Sequence, residues 1–159
     1  RRRLAECGSS AASDGDERQG GQVGVAAETE VQALRDFGYS VSRALQVRDD
    51  LLDFQGDPSD LGKPVGNDLK NGVLTLPTVM LMERYPNDNL VKALFEDRTN
   101  DAKLEKVVEV INDSTIMADC ELVVQDYIDK ACQSLKSLPD CEPKQSLLEL
   151  ADYLTARRR

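Results

Sequence analysis

The sequence predicts an all-α protein built as a helical bundle. Apolar residues recur at three- or four-residue spacing from Glu28 onward, and one later segment is apolar on nearly every side. No segment has the alternating pattern of a strand. The 159 residues are enough to bury a sizeable core, so one helical domain is expected.

The first long helix is predicted to begin at Glu28 and to end before Gly56. Residues 1–27 include a stretch rich in Gly, Ser, Asp and Ala, and they are expected to be a helix remnant followed by a mobile loop. The helical domain is therefore expected over residues 28–159. The apolar stripe predicted for its first helix consists of Val31, Leu34, Phe37, Val41 and Leu45.

The elements after this helix are predicted from turn residues and from hydrophobic period. A loop with several glycines and prolines is expected from Gly56 to about Asn67. Next comes the nearly all-apolar segment Val73–Met82, in which Pro77 suits the first turn of a helix; such a helix is expected to be buried or covered by a partner. Three more helices are predicted, over about 101–112, 116–138 and 143–156. The aromatic side chains of Phe37, Tyr39 and Phe54 are interpreted as core residues.

The composition excludes several classes of function. The formal net charge of −9 argues against nucleic acid as a partner. No apolar run is long enough for a membrane span, and no signal peptide is visible. The four cysteines form no Cys-x-x-Cys pair and the chain has no histidine, so a structural zinc site is not predicted. Reduced thiols and a cytoplasmic location are the expectation.

Three aspartates stand out at the end of the first helix. Asp49 and Asp53 lie four residues apart and therefore one turn apart on a single face, with Asp50 beside them. Carboxylates placed in this way repel one another unless a cation lies between them, and Mg²⁺ that shares a substrate phosphate is the natural candidate. Taken alone, the triplet also suits a solvated helix end.

Three motifs in series carry a family resemblance. Gln46-Val47-Arg48-Asp49-Asp50-Leu51-Leu52-Asp53 is followed by Gly62-Lys63-Pro64-Val65-Gly66-Asn67-Asp68-Leu69 and then by Gly72-Val73-Leu74-Thr75-Leu76-Pro77. Together they resemble the second aspartate-rich motif and following loop of the trans-isoprenyl diphosphate synthases, the polyprenyl synthetase family. The resemblance extends from about Val31 to Arg159, and it implies a helical bundle of the isoprenoid synthase type.

The resemblance also implies an activity and a set of site residues. Such enzymes condense an allylic diphosphate with isopentenyl diphosphate and release diphosphate, with Mg²⁺ assisting ionisation. By resemblance, Asp49 and Lys63 are the catalytic residues, and Mg²⁺ is bound by Asp49, Asp50 and Asp53. The implied contacts to the substrates are Gln46, Lys63, Asp68, Arg157 and Arg158.

The chain departs from the family pattern in what it lacks. It has no further Asp-Asp-x-x-Asp motif and no Lys-Thr pair of the kind found between the two motifs. It is therefore expected to be the C-terminal half of such a synthase, with the N-terminal helices missing and with little or no activity alone. The complete enzyme is expected to be a homodimer. The alternatives are a non-catalytic partner that binds or regulates a complete synthase, and a plain helical bundle without a ligand.

Arg48 is a second departure from the family. It falls on the apolar side of the helix, where the family usually has a hydrophobic residue. A buried guanidinium needs a partner, since an unpaired charge in the interior is strongly unfavourable.

Overall fold

The secondary structure consists of helices joined by short turns in the residues that the structure, a computed structural model, describes: 28–55, 65–87 and 90–156. The all-α prediction is confirmed, since these ranges contain no strand. The predicted N-terminal remnant and most of the loop after Gln55 lie outside the described residues. The α-helices are α1 Glu28–Gln55, α2 Asn67–Lys70, α3 Leu76–Arg84, α4 Leu90–Glu96, α5 Asp101–Asp113, α6 Ile116–Ser134 and α7 Glu142–Ala156.

Two compact units make up the described chain. The central unit is Ala44–Gln125, and the terminal unit contains the described residues up to Arg43 together with those from Asp126 onward. The helices α1 and α6 each contribute residues to both units. All the described residues of the predicted site belong to the central unit, because that unit includes the C-terminal part of α1 and the chain that follows it.

Helix α1 has the predicted bounds but a different buried face. Phe37 and Val41 are buried as predicted, whereas Val31 and Leu45 are 43% and 39% exposed. The buried face instead includes the small side chains of Ala33, Ser40 and Ala44. Small residues let neighbouring elements approach the helix closely, and the larger apolar side chains then lie on its flanks.

The aromatic residues of α1 divide between core and surface. Phe37 and Phe54 are buried, at 6% and 1% exposure, which confirms the prediction for both. Tyr39 is 57% exposed, so its assignment to the core is wrong. The Arg43 guanidinium lies 5.2 Å from the centroid of its ring, and the hydrogen bond that Arg43 donates to the Tyr39 hydroxyl raises the pKa of Arg43. This cation–π contact gives the ring a partner at the surface.

The segment Val73–Met82 is only partly a buried helix. Helix α3 begins at Leu76, because Gly72 turns the chain with a φ of 86° and Thr75 is extended. Pro77 lies in the first turn as predicted, and Pro77, Thr78 and Leu81 are buried. Val73 and Leu74 precede the helix and are 51% and 47% exposed. The predicted helix is therefore wrong for residues 73–75, whereas cover of this segment by a partner stays a prediction.

The last helices follow the predicted pattern with shifted ends. The long helix predicted to reach residue 138 ends at Ser134 and continues as a 3-10 helix, Leu135–Ser137. Helix α5 starts after Asn100, whose side chain accepts a hydrogen bond from the Lys103 N–H at 3.2 Å. The short helices α2 and α4 were not predicted, since four to seven residues carry too little periodic signal.

The thiols of the described chain are in more than one state. Cys120 and Cys132 are free, whereas Cys141 is disulfide-bonded, so the expectation of reduced thiols is wrong for Cys141. Burial, with help from nearby carboxylates, raises the pKa of Cys120 to about 11. Its thiol therefore stays protonated near neutral pH and serves as a packing residue. Among the described helices, none is long and apolar enough to span a membrane.

Thr75, at the start of α3, provides a test of the packing. Its hydroxyl oxygen is buried and has no hydrogen-bond partner in the described part of the chain. Because a buried unsatisfied hydroxyl costs about 1–3 kcal/mol, we expect Thr75→Val to raise the free energy of unfolding by about 1 kcal/mol. The measurement is urea denaturation followed by circular dichroism.

Thr78→Val is the matched control for Thr75→Val. The Thr78 hydroxyl donates to the Thr75 carbonyl oxygen at 2.6 Å, so the same chemical change there removes a hydrogen bond that is made. We expect it to lower the free energy of unfolding by about 0.5–1.5 kcal/mol. Equal losses of unfolding free energy in the two variants would show that the Thr75 hydroxyl has a hydrogen-bond partner, for example a buried water molecule.

Candidate functional site

The three aspartates lie in the C-terminal part of α1 and differ in exposure. Asp49 is exposed, whereas Asp50 and Asp53 are partly buried. Asp53 belongs to the last turn of the helix, which contains no basic residue. A carboxylate there faces the negative end of the helix macrodipole, where an anion is disfavoured. The helix therefore carries a concentration of negative charge that its own last turn does not offset.

Gln46 and Asp50 form a pair on one side of the helix. The Gln46 side-chain amide Nε2 donates to Asp50 Oδ1 at 3.1 Å, across one helical turn. This contact orients the Asp50 carboxylate. The structure thus brings together two of the predicted site residues, with Gln46 in direct contact with an aspartate.

Asp53 contacts the chain at the start of α2. Its Oδ2 atom accepts the backbone N–H of Asp68 at 3.1 Å, and its main-chain oxygen accepts the N–H of Gly66 at 2.8 Å. Burial is the main cause that raises the pKa of the Asp53 carboxyl, while the backbone N–H of Asp68 acts in the opposite direction. Negative charge on Asp68 and Asp50 also raises this pKa. The four-residue helix that carries Asp68 is therefore placed directly beside the aspartate cluster.

Arg48 has a partner, as its position on the apolar side requires. Its Nη2 atom lies 3.2 Å from Glu121 Oε2 on α6, and its side chain is only 12% exposed. Because ion pairs of this kind are directional, the contact restricts how α1 is rotated about its axis in the central unit.

Two residues that support the site are far from it in the sequence. Glu121 meets Arg48, and Asn112 on α5 donates from Nδ2 to the Phe54 carbonyl oxygen at 3.0 Å, at the end of α1. A helix leaves its last carbonyl groups without internal partners, so the Asn112 amide satisfies one of them. The sequence analysis missed both residues, and no local pattern marks them, because each contact joins distant segments.

The described residues include only part of the predicted site. Lys63, Arg157 and Arg158 lie outside the described residues, so their roles stay predictions. Within the described ranges, no group of three or more His, Cys, Asp or Glu side chains is gathered closely enough to hold a metal ion by itself. Four of the five described predicted residues instead meet as two pairs, Gln46 with Asp50 and Asp53 with Asp68, and the fifth, Asp49, is exposed.

Comparison with known proteins agrees with the motifs and the helical fold. The sequence profile of the family described as polyprenyl synthetase matches residues 19–111. Heptaprenyl diphosphate synthase component 2 of Bacillus subtilis is 35% identical over 127 residues, which cover 80% of this chain and 36% of that protein.

Solved structures show the same likeness. The crystal structure of heptaprenyl diphosphate synthase from Staphylococcus aureus matches with a TM-score of 0.79 and 31% identity, over 86% of this chain and 43% of that one. A polyprenyl synthase from Caulobacter crescentus, complexed with calcium and isoprenyl diphosphate, matches with a TM-score of 0.73 and 29% identity, over 86% and 42%. This chain spans less than half the length of each of these relatives. Its helical fold is of the isoprenoid synthase type, and the chain belongs to the polyprenyl synthetase family.

Proposed function

We propose that this chain supplies the second aspartate-rich wall of a prenyl diphosphate synthase active site. The reaction condenses an allylic diphosphate with isopentenyl diphosphate. The observation that carries the proposal is the pairing of Asp53 with Asp68, because it joins two of the three family motifs in one place. The whole enzyme's activity is proposed from family membership and from this juxtaposition.

The donor atoms of the cluster fit Mg²⁺. Asp49, Asp50 and Asp53 offer only carboxylate oxygens, which are the ligands that a hard divalent cation prefers. Mg²⁺ keeps several of its waters and is commonly held by one or two carboxylates together with substrate phosphates, so a cage of three protein ligands is not required. The Caulobacter crescentus polyprenyl synthase is complexed with calcium and isoprenyl diphosphate, which supports a site for a divalent cation and a diphosphate in this chain.

Each aspartate has a distinct place in the proposed site. Exposed Asp49 would be the most direct metal ligand, and Asp50 would bind directly or through ordered water, while Asp53 holds the backbone N–H of Asp68 beside them. Gln46 orients Asp50 and contacts the diphosphate. The bound metal would supply positive charge that stabilises the departing diphosphate.

The remaining residues act on the substrates. When the allylic C–O bond breaks, the electron pair leaves with the diphosphate, and Lys63 neutralises part of the charge that builds up there. The double bond of isopentenyl diphosphate then attacks the allylic cation, and the new cation transfers a proton to the released diphosphate. Asp68 orients Lys63 or holds a metal-bound water, and Arg157 and Arg158 close over the second diphosphate. A cytoplasmic homodimer belongs to the same proposal and rests on the family resemblance.

Titration of the chain with pyrophosphate tests this proposal directly. We expect calorimetry to detect binding in the presence of Mg²⁺ and none when a chelator removes it, because the diphosphate is held through the metal. We also expect the 159 residues alone to transfer little or no prenyl group. Heats that are the same with and without Mg²⁺ would exclude the proposed site, and would favour the non-catalytic partner or the plain bundle.

A further inference from the structure

The start of α2 is capped in an unusual way. A helix normally satisfies its first backbone N–H groups with the side chain of the residue just before it. Here that residue is Gly66, which has no side chain and adopts a left-handed conformation with a φ of 73°. The N–H of Asp68, at the second position of the helix, donates instead to the Asp53 carboxylate from α1.

This distant cap matters because α2 is too short to be stable alone. A helix of four residues cannot repay the cost of its own nucleation, so contacts outside it must hold it in place. Leu69 is fully buried, and the Asp68 carbonyl oxygen accepts the Val73 N–H at 2.9 Å. The Asp68 backbone is therefore held on both sides, by Val73 at its carbonyl and by Asp53 at its N–H.

We propose that Asp53 is a positioning residue, whose carboxylate oxygen holds Asp68 beside the aspartate helix by replacing the missing cap of α2. This inference rests on the proposed function and refines it, because it assigns Asp53 a task different from that of Asp49. The site requires the acceptor oxygen of Asp53, and its negative charge is secondary. A neutral side chain that keeps an acceptor oxygen at this position is therefore expected to hold Asp68 equally well.

The variants Asp53→Asn and Asp53→Ala separate the two tasks. The amide side chain of asparagine keeps an acceptor oxygen of similar reach, whereas alanine has none. We expect D53N to keep the slow hydrogen exchange of the Asp68 amide and to bind pyrophosphate with Mg²⁺ within about threefold of the original chain. We expect D53A to exchange that amide about tenfold faster or more and to bind at least about tenfold more weakly.

The exchange rate of the Asp68 amide, measured by nuclear magnetic resonance, is the deciding measurement. If D53N loses pyrophosphate affinity as strongly as D53A, Asp53 is a direct metal ligand and the inference is wrong. It is also wrong if D53N loses the protection of Asp68. D53N changes no side-chain volume, so the test stands even where D53A unfolds.

Asp50→Asn is the matched control, since Asp50 pairs with Gln46 and has no hydrogen bond to α2 among those described. We expect it to leave the Asp68 amide protected. Failure of the proposed function is distinguishable from failure of this inference. A chain that binds no pyrophosphate with Mg²⁺ overturns the function, whereas the amide exchange of D53N and D53A still decides whether Asp53 positions Asp68.

Discussion

Asp49→Asn is expected to reduce Mg²⁺-dependent pyrophosphate binding by about 100-fold and to lower prenyl transfer by a synthase that contains this chain at least as much. Loss of residues that merely support metal ligands commonly costs 10- to 100-fold, and the proposed role of Asp49 is more direct. The side chain is exposed, so its replacement leaves no cavity and no unpaired buried group. Calorimetry measures the binding, and product formation from isopentenyl diphosphate and an allylic primer measures the transfer.

The stability of the Asp49 variant should move in the opposite direction to its activity. Removing one of two carboxylates that lie four residues apart relieves a repulsion of about 0.2–0.5 kcal/mol. We therefore expect the free energy of unfolding to stay equal or rise slightly. A variant that loses both stability and binding would indicate damage to the fold, and a variant that keeps full activity would exclude Asp49 as a ligand.

Asp36→Asn serves as the matched control on the same helix. Asp36 is exposed and accepts a hydrogen bond from Gln32 Nε2 at 2.7 Å, one turn earlier, as Asp50 does from Gln46. It lies outside the three motifs. We expect unchanged pyrophosphate binding, so a loss comparable to that of D49N would mean that the assay responds to overall charge.

Gly66→Ala is expected to lower the free energy of unfolding by about 2–4 kcal/mol. An L-residue in the left-handed region costs about 1–2 kcal/mol, and Gly66 has a φ of 73°. A Cβ atom there would lie 3.0 Å from both Leu104 Cδ1 and Val108 Cγ2 on α5, which adds the cost of overpacking. The backbone shift would also strain the hydrogen bond from Gly66 N–H to Asp53, so we expect weaker pyrophosphate binding as well.

Gly38→Ala is the control for this substitution, because a Cβ atom at Gly38 would meet no atom within 4 Å. The residue lies inside α1, where glycine is less favourable than alanine by about 0.5–1 kcal/mol. We therefore expect Gly38→Ala to raise the free energy of unfolding by that amount. Urea denaturation of both variants measures the difference. A loss below about 1 kcal/mol for Gly66→Ala would show that the turn before α2 relaxes without strain.

The patterns along the chain were sufficient for the helices and for the family, because both depend on local spacing. The bounds of α1, the place of Pro77 and the order of the three motifs follow from residues a few positions apart. Local spacing was not sufficient for the buried face of α1. The apolar residues of α1 are compatible with more than one buried face. In the folded chain the face with Ala33 and Ala44 is buried, whereas Val31 and Leu45 are exposed.

The sequence by itself determined that this protein is all-α, belongs to the polyprenyl synthetase family and places three carboxylates near one helix end. Only the tertiary structure decided how those carboxylates are used. It directs Asp53 to the backbone of Asp68, pairs Asp50 with Gln46 and leaves Asp49 exposed. It also supplies Glu121 to Arg48 and Asn112 to the end of α1. The physical reason is that helical periodicity is a property of neighbouring residues, whereas a hydrogen bond between distant segments exists only after the chain has folded.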